Sequence, residues 1–214
     1  MFKRACTALA LVGAMASAHA DATLISEGFD NVANLTSSGW QILNLSTPAG
    51  LTAPWVQGDQ TIFNALSGEP ESYISSNFLN AGAGGNLASW LLTPVFSTAQ
   101  DLVITFWAKA DIQDGYYDQL AFGLVDAAGN PSSLVLDTQV TVAGDWTQYT
   151  LNVAGLGTGT SARFAIEYVG NANLANYVGV DNLAVTAVPE PASFALAGLG
   201  LVGLVAVRRR RQAR

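Results

Sequence analysis

Leu102-Val103-Ile104-Thr105-Phe106-Trp107 and Arg163-Phe164-Ala165-Ile166-Glu167-Tyr168 decide the fold class. In an extended chain successive side chains point to opposite faces, so Leu102, Ile104 and Phe106 share one face. Phe164, Ile166 and Tyr168 do the same, while Arg163 and Glu167 point the other way. This is the alternation of half-buried strands, and between the two ends of the chain no stretch sustains helical spacing over three turns. Further runs rich in Val, Ile, Thr and aromatic residues lie between clusters of Gly, Asn, Asp, Ser and Pro. They predict strands over 72–78, 89–92, 102–108, 119–125, 146–153, 163–169 and 177–185, with further candidates over 23–29, 40–44 and 133–142. Seven to ten strands in this span suit an all-β, jelly-roll-like β-sandwich.

The last of these runs breaks its own period. Val178 and Val180 share a face, yet the next large apolar pair, Leu183 and Val185, falls an odd step away. A β-bulge at Asp181-Asn182 would return both pairs to the core and re-aim the Asp181 side chain.

Outward from the strands, charge is unevenly placed. The chain has 214 residues, of which 12% are charged. Residues 21–187 hold fifteen acidic and two basic residues, Lys109 and Arg163, for a net charge of −13. Such a body repels a phosphate backbone, which excludes a nucleic-acid partner.

Both ends read as targeting segments. In residues 1–20, Lys3 and Arg4 precede the apolar run 5–15, and Ala18-His19-Ala20 offers a small-x-small cleavage site after Ala20, as in a secretory signal peptide. Cys6, His19, Met1 and Met15 are the chain's only residues of their types, and all precede that cut. A chain beginning at Asp21 has no disulfide, no Cys nucleophile, no Ser-His-Asp triad and no His-ligated zinc. The other end carries Pro189, Glu190 and Pro191, then the uncharged segment 192–207, then Arg208, Arg209, Arg210 and Arg211. Sixteen helical residues span roughly 24 Å, slightly short of a hydrocarbon core of about 30 Å. The arginines hold their side in the cytoplasm and leave the body outside. Either a marginal anchor or a temporary stop signal fits that arrangement.

Val188-Pro189-Glu190-Pro191, the short Gly- and Ala-rich span and the terminal arginines together resemble a PEP-CTERM sorting signal over 188–214. The resemblance implies recognition at Pro-Glu-Pro by an exosortase in the inner membrane of a Gram-negative bacterium. The partners during processing would be that enzyme and signal peptidase, and the destination the cell surface or extracellular matrix.

Carboxylates are the plentiful reactive groups of the body. Asp111, Asp114 and Asp118 crowd one loop; a calcium loop, a glycosidase acid pair and a solvated turn are the readings, and the spacing does not follow the EF-hand ligand pattern. Calcium, which takes hard oxygen ligands, is the expected cation. Asp30 beside the first strand and Asp181 at the bulge are its candidate ligands, since first and last strands of a sandwich often lie side by side. Trp90 and Trp107 read as core; Trp40, Trp55, Tyr116 and Tyr117 border loops, where packing beneath the loop is the first reading and an exposed ring stacking on a sugar the second.

Phe29-Asp30-Asn31, Gly39-Trp40, Trp55-Val56-Gln57-Gly58, Trp90-Leu91-Leu92-Thr93-Pro94, Thr105-Phe106-Trp107 and Tyr177-Val178-Gly179-Val180-Asp181-Asn182 occur in that order. Together they resemble the choice-of-anchor J domain, related to cleaved adhesin and MAM-like jelly rolls. The resemblance implies an adhesion or binding module over 21–187, structural calcium in some relatives, and no catalytic residues. An adhesive or structural role in biofilm or floc is the expectation. A carbohydrate-binding module for exopolysaccharide and a glycan-active hydrolase are the alternatives.

Overall fold

The computed structural model describes residues 21–188. The expected signal segment with its cut after Ala20, the Pro189, Glu190 and Pro191 motif, the expected span 192–207 and the cluster Arg208, Arg209, Arg210 and Arg211 lie outside the described residues.

The described chain runs through Ala22–Glu27 (β1), Gln41–Asn44 (β2), Thr47–Ala49 (β3), Val56–Gln57 (β4), Ile74–Asn77 (β5), Ala81–Leu92 (β6) and Phe96–Ser97 (β7). It continues through Asp101–Ala110 (β8), Gln119–Asp126 (β9), Val135–Thr141 (β10), Thr147–Val153 (β11), Ser161–Asn171 (β12) and Tyr177–Val188 (β13). The pairings are antiparallel and build two sheets of a β-sandwich. A six-stranded sheet has the order β11-β8-β13-β5-β4, with β1 on β13; a seven-stranded sheet has the order β10-β9-β12-β6-β2, with β3 on β6 and β7 on β12.

Alternation translates directly into the core. Leu102, Ile104, Phe106, Phe164, Ile166 and Tyr168 are all buried between the sheets. Phe106 meets Phe122 edge-on at 5.0 Å, leans on Phe164 at 5.8 Å and stacks on Tyr149 at 5.4 Å between centroids. Each fully buried aromatic ring there stabilises by several kcal/mol, about 3–5 if truncated to Ala.

One expectation about tryptophans changes. Trp107 lies on the outer face of β8, half-buried, because it is one step out of phase with Phe106. Trp40 and Trp55 are buried, Trp55 donating its indole N–H to the Ser89 carbonyl at 3.1 Å. The 89–92 run is only the end of a twelve-residue strand. Its Gly-rich first half gives no strand signal, because a Cβ on Gly85 would lie 2.8 Å from the Thr47 carbonyl oxygen of neighbouring β3.

The bulge is present. One edge of β13 pairs with β5 through Tyr177–Val180 and with β1 through Leu183–Ala187, and the register against β8 shifts between Asp181 and Ala184. Val178, Val180, Leu183 and Val185 are all buried. Asn182 turns the corner at φ +48°, in the left-handed region that asparagine tolerates.

Over the outer face of the six-stranded sheet folds the long connection between β4 and β5. Phe63 from this loop stacks on Tyr73 at 5.1 Å and meets Tyr177 at 5.4 Å and Trp146 at 5.7 Å edge-on. Gly179 lies beneath, where a Cβ would come within 2.8 Å of Tyr73 and 2.9 Å of Phe63. Lys109 reaches over the Phe63 ring, its Nζ 5.0 Å from the centroid. These contacts clamp the loop and fix the site beside it.

Candidate functional site

Where β13 changes partner from β5 to β1, Asp181 has no strand opposite on that edge. Its buried carboxylate is met by the loop instead. Oδ2 accepts from the backbone N–H of Leu66 at 2.9 Å and of Ser67 at 3.3 Å, while Oδ1 accepts from Asn182 N–H at 2.6 Å. The Ser67 hydroxyl donates to Asn182 Oδ1 at 3.1 Å. Burial pushes the Asp181 carboxyl above its ordinary pKa; the three N–H donors oppose this, and the neighbouring Asp30 charge adds to it. Asp30, just past the end of β1, and Asp181 meet successive residues of the same loop: Ser67 donates to Asp181, and Gly68 packs against Asp30.

The Asp30 side is built by a second set of contacts. Phe29 sits at φ +56°, an uncommon conformation for a bulky residue, and is buried against Trp40 at 5.6 Å. Its N–H donates to the Glu27 carboxylate at 2.8 Å, and its carbonyl accepts from Gln57 Nε2 at 2.8 Å. Gln57 also donates to the Glu71 carbonyl at 2.7 Å and accepts from Val32 N–H at 2.9 Å, stitching the β1–β2 connection to the loop. A Cβ on Gly68 would lie 3.2 Å from Asp30 Oδ1, so the loop packs directly against that carboxylate. The result is an open cleft of about 660 Å³ bordered by Asp30, Gln57, Gly68, Glu69, Glu71 and Ser72. Glu69 and Glu71 are absent from the sequence-predicted site; the only signal was their place in a loop whose path the sequence does not reveal.

The donors at this junction are all oxygen, the set a hard cation such as calcium takes. Among the described residues no three His, Cys, Asp or Glu side chains are grouped to hold a metal ion by themselves. Three N–H groups already occupy most of the Asp181 lone pairs, so a cation here would draw also on carbonyls or water.

The acidic loop 111–118 divides. Asp114 is exposed. Asp118 is 1% exposed and far from a solvated turn: it accepts from the Tyr168 hydroxyl, from Asn176 N–H at 2.8 Å and from Tyr177 N–H at 3.3 Å. Burial raises its pKa, against those three donors and with a smaller push from Asp111. Asp118 thus fastens the β12–β13 loop to the sheet. Tyr116 and Tyr117 beside it are exposed rather than packed beneath the loop.

On the outer face of the seven-stranded sheet, Glu167 pairs in register with Trp90 and Ala121. Burial, with Asp137 nearby, pushes its carboxyl up to about 7. Arg163, two turns of the pleat away, spends its guanidinium on the carbonyls of Ala127, Thr93 and Gly39 at 3.0, 2.7 and 2.8 Å.

Residues 187–211 match the PEP-CTERM protein-sorting motif. No curated protein matches the chain. The fold is similar to the K1 cleaved adhesin domain of Lys-gingipain from Porphyromonas gingivalis W83, with a TM-score of 0.58 and 17% identity over 80% of this chain and 100% of that one. It is similar also to the K3 cleaved adhesin domain of the same protein, at a TM-score of 0.55 and 17% identity over 78% and 99% of the two chains. A structure described as "CBM4 structure and function" matches at a TM-score of 0.51 and 13% identity, over 75% of this chain and 97% of that one. At these identities the likeness is one of fold. The chain thus carries a PEP-CTERM motif on a β-sandwich like those of cleaved adhesin domains.

Proposed function

We propose that the protein is an exported surface module, processed by an exosortase, that works by non-catalytic adhesion within an extracellular polymer matrix. One observation carries the reading: the sorting motif begins inside β13, at Ala187, so a sorting signal is continuous with the last strand of an adhesin-like sandwich. In this reading both terminal segments are transient and the chain begins at Asp21 at the surface. The absence of cysteine and histidine from 21–214 supports a binding role over nucleophilic or zinc chemistry. So does the engagement of Asp118 and Asp181 in structural hydrogen bonds. Calcium at Asp30 and Asp181 belongs to the proposal as a structural ion, supported by two carboxylates that meet successive residues of one loop in an all-oxygen setting.

Intact-mass measurement of surface material tests the processing, and matrix attachment of cells lacking the gene tests the role. The expected species starts at Asp21 and lacks Arg208–Arg211. Outer-surface protein that keeps those arginines, or attachment indifferent to the gene, would overturn the reading.

Carbohydrate binding is the specific form of adhesion that the carbohydrate-binding neighbour makes worth testing. The matrix polymer would then be the partner.

A further inference from the structure

At the Tyr177 end of β13, two shallow clefts of about 560 and 330 Å³ meet across Phe78 and Asn176. Both volumes fall in the range of about 300–1,000 Å³ usual for ligand sites. Phe78 is 40% exposed and Tyr116 48%, a large exposure for two rings that border one depression. Around them stand side-chain amides: Asn173 and Asn176 in the larger cleft, Asn77 and Asn176 in the smaller, with Asp111 at its rim.

These amides are pre-oriented. Asn176 gives its N–H to buried Asp118 at 2.8 Å and its Nδ2 to the Asp111 carbonyl at 2.9 Å and carboxylate at 2.8 Å. Its own carbonyl accepts from Phe78 N–H at 3.1 Å, which ties the ring to the same anchor. Asn173 Oδ1 accepts from Gly84 N–H at 3.0 Å, and Asn77 Oδ1 from Leu79 N–H at 2.9 Å. Each bond fixes the plane of an amide and consumes one end of it. The other ends, Nδ2 of Asn77 and Asn173 and Oδ1 of Asn176, have no hydrogen-bond partner among the described residues. The cleft therefore offers two donors and an acceptor, held rigidly beside two exposed aromatic rings.

We propose that this double cleft binds a neutral hexose polymer. A pyranose ring presents a C–H face to an aromatic side chain and a rim of hydroxyls, each both donor and acceptor, to amides. Two lobes in series suit a chain over a single sugar. Asp59 and Asp111 border the smaller lobe, no basic side chain lines either, and the body carries −13, which repels a polyanion such as a uronate polymer. The inference rests on the reading of the module as a matrix adhesin and gives that reading a site and a ligand class.

The test is affinity electrophoresis of the full chain, in a non-glycosidic detergent, through gels containing hydroxyethyl cellulose, galactan, mannan, alginate or exopolymer of the producing cells. At least one neutral polymer should retard the protein and alginate should not. Phe78→Ala and Tyr116→Ala should each weaken binding about tenfold, equal to about 1.4 kcal/mol. Tyr117→Ala, exposed next door but outside the cleft, should bind as wild type. Both rings are half-exposed, so the thermal midpoint of each variant should match wild type, separating lost binding from lost fold. Retardation by alginate alone, or by no polymer, overturns the proposal, and failure to bind the cells' own exopolymer overturns the adhesin reading with it. Wild-type affinity for that exopolymer in the Phe78→Ala/Tyr116→Ala double variant overturns the cleft alone and leaves the adhesin reading standing.

Discussion

Asp118 and Asp181 are the two carboxylates buried in this sandwich, and each accepts three hydrogen bonds. Asp118 draws a tyrosine hydroxyl and two backbone N–H groups from partners 50 to 59 residues away, closing the β12–β13 loop onto the sheet. Asp181 draws backbone N–H groups alone, one of them from its own neighbour, and has the exposed Asp30 beside it. Each has a second carboxylate nearby, Asp111 for Asp118 and Asp30 for Asp181, so what differs is the donors: distant side-chain and backbone groups in one case, backbone N–H groups alone in the other. The difference separates a lock between distant segments from the junction at which calcium is proposed.

Burial raises both pKa values, so each group binds its proton more readily folded than unfolded. Their contribution to stability is full below the ordinary carboxylate range and is lost as pH rises through the raised values.

Since the strand pairings of the described residues and both carboxylates lie within 21–188, that segment is the one to titrate. The largest effect should come from Asp118→Ala, which orphans three buried donors and should lower stability by at least about 3 kcal/mol in denaturant. A loss under 1 kcal/mol would mean that the lock is held elsewhere. Calcium should come next: a metal that binds only the folded state adds about 2.7 kcal/mol at a hundredfold excess over Kd. Thermal unfolding in calcium and in EDTA should display that gain in wild type and in Asp118→Asn, and lose most of it in Asp181→Asn. Equal midpoints for wild type would remove the ion from the junction, and a gain abolished by Asp118→Asn alone would move it to the other carboxylate.

Smaller still is Tyr168→Phe, which removes one of the three donors to Asp118 and should cost about 1–2 kcal/mol. Smallest is Glu167, a half-buried carboxylate without such a set of donors. Its folded pKa of about 7 lies above its ordinary 4.5, so its contribution is lost as pH rises through 7. The melting midpoint should fall between about pH 4.5 and pH 7 and level off above it, and Glu167→Gln should flatten that fall. An unchanged slope in the variant would assign the pH dependence to the two aspartates.

The bulge was legible because its cause is local: a hydrophobic period of two cannot skip a residue without one. The long strands β8, β12 and β13 were legible for the same reason. Asp118 was not. Its sequence neighbours Asp111 and Asp114 suggest a solvated loop, and the residues that bury it, Tyr168 and Asn176, come from another strand and loop. Asp181 was half legible, since alternation places it but says nothing of Leu66 and Ser67. Glu69 and Glu71 reach the cleft through a loop whose path is set by Phe63 packing on Tyr73, a tertiary contact with no periodic signature.

The strand β13 also has a mechanical meaning. It begins at Tyr177, under the proposed cleft, and ends at Val188, still paired with Asp101, where the sorting motif continues. A polymer pulling at one end and an attachment at the other would load this strand along its length, about 40 Å at roughly 3.3 Å per residue. The ladders to β8 on one side and to β5 and β1 on the other would carry that load in shear, many hydrogen bonds at once. A tether entering at an edge strand would instead peel them one by one.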